Sequence, residues 1–284
     1  MTADLITDIA TRTEIGPRDR QEDRARAVEN TDGSWVIAVA DGLGGHPFGD
    51  EAAQAAVDAL PERIATVAEM TAAFDAANAA AWALHPEMRS HNVGLSSAIA
   101  LTTLVVASWT PQGGLLLSWV GDSMGFVVPL GDGPGWHSTP HNDPFGFISR
   151  CIGMSRAGQD SFDLPPGDVD HLGDVVPEER VDRWIEGGGL LVVLATDGLF
   201  PPILDAHGRA WFSDDPDDNS LGFALPADRR ASAADAADTL MDTARFAGLQ
   251  DNITIAAARI TPDASTDSGG ISRSPHPHRP ASSP

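Results

Sequence analysis

Lysine is absent from this chain: all 18 basic residues are Arg, set against 41 acidic ones. A formal charge of −23 repels nucleic acid phosphates and anionic membrane surfaces, so neither is expected as a partner. A phosphate-binding loop of the GK[ST] type needs a lysine, and the glycine-rich turn Gly42-Leu43-Gly44-Gly45 also lacks the GxGxxG spacing. Nucleotide binding of those kinds is excluded. One cysteine, Cys151, stands in an apolar context and cannot form a disulfide within the chain, which suits a reducing compartment. No basic segment followed by an apolar run opens the sequence, and apolar stretches such as Leu190–Ala195 fall far short of a membrane span. A cytoplasmic protein is expected. Neither a Ser/His/Asp nor a Cys/His arrangement suggests a protein nucleophile.

What the sequence does have is a substantial apolar content, 42% hydrophobic against 21% charged residues over 284 positions. That is enough for one large domain or two small ones with a well-buried core. Residues 34–40 form a β-branched run that reads as a buried strand ending at Asp41. Gly49–Leu60 and Thr71–Leu84 read as Ala-rich helices, the second burying Phe74 and Trp82. Strand patterns return at 98–109 and 114–120, split by the turn Thr110-Pro111-Gln112-Gly113, which is a hairpin signal. Residues 125–130 continue as a further strand, and 131–146 are loop. Leu190–Thr196 reads as a strand delivering Asp197. Ser232 is a suitable N-cap for a helix to about Ala247, stopped by Gly248, before a closing strand at 253–260. Strands cluster and helices fall in blocks, so an α+β arrangement of antiparallel sheets with outer helices is favoured over a doubly wound one. From Thr261 onward Ser, Pro, Gly, Asp and His dominate, and 261–284 is expected to be a disordered tail whose His276 and His278 are solvated. Residues 1–260 are then expected to form a single domain.

Several carboxylates occur in short glycine-flanked contexts far apart in the chain: Glu22-Asp23, Asp41-Gly42, Gly121-Asp122-Ser123, Asp197-Gly198 and Asp251-Asn252. Asp41 and Asp197 end apolar runs, which places each at the rim of a buried strand. If the segments converge, they form an oxygen-rich pocket suited to hard divalent cations. Like charges packed together raise one another's pKa values, and divalent ions relieve that repulsion. The acidic run Asp214–Asp218 lacks the Gly and closing Glu of a calcium loop and reads as a solvated loop.

In this order, Arg18-Asp19-Arg20-Gln21-Glu22-Asp23, Val39-Ala40-Asp41-Gly42-Leu43-Gly44-Gly45-His46, Gly121-Asp122-Ser123, Ala195-Thr196-Asp197-Gly198-Leu199 and Asp251-Asn252-Ile253-Thr254 resemble the metal-dependent protein serine/threonine phosphatases of type 2C, bacterial members in particular. The resemblance covers about residues 10–260. It implies a four-layer α-β-β-α sandwich and two bound Mn²⁺ or Mg²⁺ ions, with a third in some relatives. It further implies that Asp41 bridges both ions, with Glu22 and the Gly42 carbonyl on one and Asp197 and Asp251 on the other. Asp122 would serve the third ion, Asp23 would orient a water from behind the ligands, and Arg18 would grip the substrate phosphate. Ions about 4 Å apart can share a hydroxide for in-line attack at phosphorus. The implied substrates are phosphoserine and phosphothreonine proteins, a Ser/Thr kinase or its targets among them.

Four departures from the family pattern stand out. Met124 occupies a place usually held by Arg, and Leu43 one that many eukaryotic members fill with His. His46 in the same turn is a candidate catalytic residue. The segment 137–152, where bacterial members carry a flap beside the active site, is short, with extra residues at about 155–188. Alternatives are an inactive member that binds phosphoproteins and a hydrolase of other phosphomonoesters.

Overall fold

The computed structural model describes residues 5–44, 48–84, 100–142, 145, 147–153, 172–175 (backbone alone), 178–200 and 231–263. Among the described residues, ten strands form two five-stranded antiparallel sheets. One is ordered β1-β10-β9-β6-β7, from Leu5–Glu14 (β1), Ile253–Pro262 (β10), Leu190–Ala195 (β9), Met124–Pro129 (β6) and Trp136–His137 (β7). The other is ordered β2-β3-β4-β5-β8, from Asp23–Glu29 (β2), Trp35–Asp41 (β3), Leu104–Thr110 (β4), Gly114–Val120 (β5) and Leu172–Val175 (β8). Helices α1 (Gly49–Asp58), α2 (Val67–Ala83), α3 (Glu178–Glu186) and α4 (Ala233–Ala247) complete the described elements. None is long and apolar enough to cross a membrane.

Side-chain alternation along the strands explains the layering. On β3, Val36, Ala38 and Ala40 pack against α1 and α2, while Trp35, Ile37 and Val39 point the other way. On β10, Ile255 and Ala257 pack against Leu240 and Met241 of α4, while Ala256, Ala258 and Ile260 join Trp35 and its neighbours between the sheets. The period of two thus supplies two apolar faces per strand. Strands buried on both faces read as continuous hydrophobic runs rather than alternating ones. Three apolar interlayers follow, giving the expected α-β-β-α sandwich, with Val181 and Trp184 of α3 closing the inter-sheet layer at its side.

Local chemistry sets the helix ends. Thr66 caps α2 in a reciprocal box with Glu69, which starts that helix earlier than residue 71. Trp82, expected on its buried side, is only half-buried, whereas Phe74 is fully buried. Ser232 and Asp235 cap α4 likewise, and Gly248 ends it at φ 97°. The hairpin at 110–114 joins β4 to β5 as expected.

The further strand expected at 125–130 is β6, and the chain crosses at Gly121-Asp122-Ser123 into the other sheet, where β6 pairs with β9. The expected tail boundary at 261 moves. Thr261 and Pro262 continue β10 and pair with Ile6 and Leu5, because strand β1 offers them a partner edge. Residues 264–284, with His276 and His278, and the acidic run 214–218 lie outside the described residues, as does His46.

Candidate metal centre

Sheet register brings the carboxylates together. Asp23 pairs directly with Asp41 across β2 and β3. Met124 pairs with Ala195 across β6 and β9, so the crossover residue Asp122 and the turn residue Asp197 leave neighbouring strands at the same end. The 3₁₀ turn Asp197–Leu199 then runs past the start of β10, where Asp251 and Asn252 stand. Glycine is required at Gly198, since a Cβ there would collide with the Asn252 carbonyl. At Gly42 it is required because the backbone of Gly49, at the start of α1, lies directly against it.

The result is a cavity of about 400 Å³ lined by Glu22, Asp41, Gly42, Asp122, Asp197 and Asp251, with Arg18 at the edge and Phe147 and Ile148 on one wall. Every expected ligand position therefore converges on one cavity. Asp23 lies behind the wall, buried, and accepts a 2.8 Å hydrogen bond from the Thr196 hydroxyl. Arg20 faces solvent.

The electrostatics are those of crowded anions. Burial first, then the charges of Asp23, Asp197 and Asp122, hold the Asp41 carboxyl well above its usual range, and it shares a hydrogen bond with Asp197. Burial raises Asp197 as well. Burial pushes Asp122 up to about 6, helped by Asp197. Asp23 is pushed up to about 7 by burial, against the opposing hydrogen bonds of Thr196 and Thr254. Glu22 is also raised, chiefly by burial. Arg18 forms an ion pair with Asp251 across the mouth.

This donor set fits a hard divalent cation. It offers carboxylate oxygens and a backbone carbonyl with no sulfur, and Asp122 Oδ1 is buried without a hydrogen-bond partner. Among the described residues, no three His, Cys, Asp or Glu side chains stand close enough together to hold an ion as arranged. Asp251 pairs with Arg18, and Asp41 lies beside Asp197, whose charge adds to the burial that raises the Asp41 carboxyl.

Sequence reasoning missed the frame that holds these groups. Asn252 accepts from the Glu22 backbone N–H (2.8 Å) and donates to the Ile15 (2.7 Å) and Arg20 (2.9 Å) carbonyls, tying the 15–22 segment to β10. The Thr103 hydroxyl accepts from the Asp41 N–H (3.0 Å) and the Thr102 hydroxyl donates to the Asp41 carbonyl (2.8 Å). Ser123 bonds Thr103 in turn at 2.7 Å. Asn252 and Thr196 did sit inside recognised motifs, but their partners are distant in sequence. Met124, where the family pattern led to an expectation of Arg, is fully buried in the apolar layer against α4, a place unsuited to a guanidinium.

The chain matches the protein phosphatase 2C family over residues 15–241. The chain belongs to that family. The sandwich also matches solved bacterial phosphatases. The catalytic domain of PstP, in complex with two manganese ions, is 23% identical, with a TM-score of 0.61 over 91% of this chain and all of that one. A serine/threonine phosphatase of S. agalactiae is 19% identical, with a TM-score of 0.61 over 89% of this chain and 99% of that one. Stp1 of Staphylococcus aureus is 17% identical, with a TM-score of 0.60 over 91% and 96%. At these identities the likeness shows a shared fold. No curated protein sequence matches the chain. As a protein phosphatase 2C, it is a phosphoprotein phosphatase by class.

Proposed function

We propose that the chain hydrolyses phosphoserine and phosphothreonine on proteins, kinases or their targets among them, at a centre holding two Mn²⁺ or Mg²⁺ ions. The observation that carries this is the convergence of Glu22, Asp41, Asp197 and Asp251 on one cavity with Arg18 at its edge. Glu22, Asp41 and the Gly42 carbonyl would hold one ion, Asp41, Asp197 and Asp251 the other, and Asp122 a third. Ions held there supply a water of lowered pKa and positive charge opposite the phosphoryl oxygens.

The remaining roles belong to the chain. Arg18, a planar donor, binds and orients the phosphoryl group, exchanging its Asp251 partner for phosphate oxygens. Asp23, oriented by the Thr196 hydroxyl, can hold or pass a proton from behind Asp41. Thr102 and Thr103 hold the Asp41 backbone in place at the floor of the cavity. A lone Cys151 without an intrachain partner supports a reducing, cytoplasmic setting, which cell fractionation would check.

The test is release of phosphate from a phosphothreonine peptide with Mn²⁺, with EDTA and Asp251→Ala as controls. Metal-dependent turnover that EDTA abolishes and Asp251→Ala strongly reduces is the expected result. No turnover with Mn²⁺ or Mg²⁺, or full turnover in EDTA, would refute the reading.

A further inference from the structure

Asp122 stands on the short crossover between β5 and β6, where the chain passes from one sheet to the other. Its Oδ1 is buried without a hydrogen-bond partner, so its place is set by the backbone on either side. Both flanks are held. Downstream, the Ser123 hydroxyl bonds the Thr103 hydroxyl at 2.7 Å, and the Thr103 hydroxyl also accepts from the Asp41 N–H. Upstream, Gly121 adopts φ 104°, a conformation that favours glycine, and a Cβ there would collide with the Thr103 side chain.

His141 holds that glycine at both of its polar groups. The His141 N–H donates to the Gly121 carbonyl (2.8 Å), and the Gly121 N–H donates to His141 Nδ1 (3.3 Å). The imidazole is buried and stacks on Trp119, with ring centroids 5.9 Å apart and planes 20° from parallel. Trp119 is itself fixed, since its Nε1–H donates to the Thr139 carbonyl (2.7 Å). Stacking thus holds the plane of the ring, and the bond to Gly121 sets which nitrogen faces the crossover. The His141 carbonyl accepts from the Ser149 N–H and hydroxyl, at 2.8 and 3.0 Å. One residue therefore ties the crossover to the segment of Ile148, which also lines the cavity. A histidine that served packing alone would need the stack on Trp119 and no acceptor at Gly121.

We propose that His141 is a positioning residue: it clasps Gly121 and so holds Asp122 where its buried oxygen meets a divalent ion at the cavity. This rests on the assignment above of a third ion to Asp122. Loosening the clasp adds disorder that the ion must remove on binding, so affinity falls at that ion. The segments carrying Glu22 and Asp41 are held instead through Asn252, Thr102 and Thr103, so the other two ions do not depend on the imidazole.

Calorimetric Mn²⁺ titration of the full chain tests this with two variants that separate the roles of the ring. His141→Phe keeps a ring against Trp119 and removes the acceptor, whereas His141→Asn keeps an acceptor for Gly121 and removes the stack. Wild type should take up a third ion more weakly than the first two. His141→Phe should weaken that last ion by about tenfold and leave the two tighter ones unchanged, while His141→Asn should keep most of the affinity. In Asp122→Ala, which lacks the third site, His141→Phe should change Mn²⁺ binding no further. An unchanged last ion in His141→Phe, an equal loss in His141→Asn, or an equal loss at every ion would overturn the proposal. If wild type takes up only two ions, the assignment of an ion to Asp122 fails. The clasp then stands only if His141→Phe, unlike His141→Asn, speeds exchange of the Gly121 amide by about tenfold in the metal-free chain, and equal exchange in the two variants sinks it.

Discussion

The carboxylates on the floor of the cleft stand at strand ends, Asp41 and Asp197 after strands buried on both faces, whereas Arg18 and Phe147 on its rim are 48% and 71% exposed. Floor residues are positioned by sheet register, apolar packing and hydrogen bonds to Asn252, Thr102, Thr103 and Thr196. Rim residues come from connecting segments tied down at a few backbone positions. The floor holds like charges together at the expense of stability. Rigid framework thus carries the candidate chemistry.

That contrast predicts a separation of effects. The largest is at Asp41, central to the floor. Asp41→Asn should lower Mn²⁺-dependent turnover by about a thousandfold or more. It should leave the metal-free fold no less stable at pH 8, because one of several crowded charges is gone. Turnover and thermal melting in EDTA measure the two halves. An active Asp41→Asn would erase the distinction between floor and rim.

Next comes pH. Asp122 and Asp23 have folded-state pKa values of about 6 and about 7, above the unfolded carboxylate value of about 3.9. For an acid raised in the folded state, the stabilising contribution is complete below the unfolded value and is lost as pH rises through the folded one. In EDTA the protein should therefore lose on the order of 3 kcal/mol between pH 5 and pH 8. Mn²⁺ at pH 8 should restore it. Urea denaturation at the two pH values checks this, and stability that rises across the interval would contradict it.

On the rim, Arg18→Ala should reduce kcat/KM by about tenfold to a hundredfold, the worth of a charge-assisted hydrogen bond to phosphate. Metal affinity should fall far less than in Asp41→Asn, which calorimetric Mn²⁺ titration can read. The smallest effect concerns the tie between the two regions. Asn252→Ala removes three hydrogen bonds and should cost about 2 kcal/mol of stability, measurable by urea denaturation. An unaltered midpoint would show that the 15–22 segment is held by other contacts.

The two regions also differed in how legible they were from sequence. Strands β3 and β9 are uninterrupted apolar runs because both faces are buried, so they and the Asp residues that end them stood out. Helix α4 announced both ends through Ser232 and Gly248. Strands β1 and β2 did not stand out. They lie at sheet edges, and most of their residues are only half-buried, which weakens the apolar signal. The crossover at Gly121-Asp122-Ser123 was hidden because one strand pattern follows another with no sign of which sheet each joins. Asn252 and Thr196 act through partners more than 150 positions away, a separation that local patterns do not encode.

The account stands on two ions sharing Asp41. Crystals grown with Mn²⁺ and measured at its absorption edge test this most directly. Two anomalous peaks in the cavity are predicted, one beside Glu22 and Asp41, the other beside Asp41, Asp197 and Asp251. No peak in the cavity at saturating Mn²⁺, or a single ion that does not touch Asp41, would contradict it.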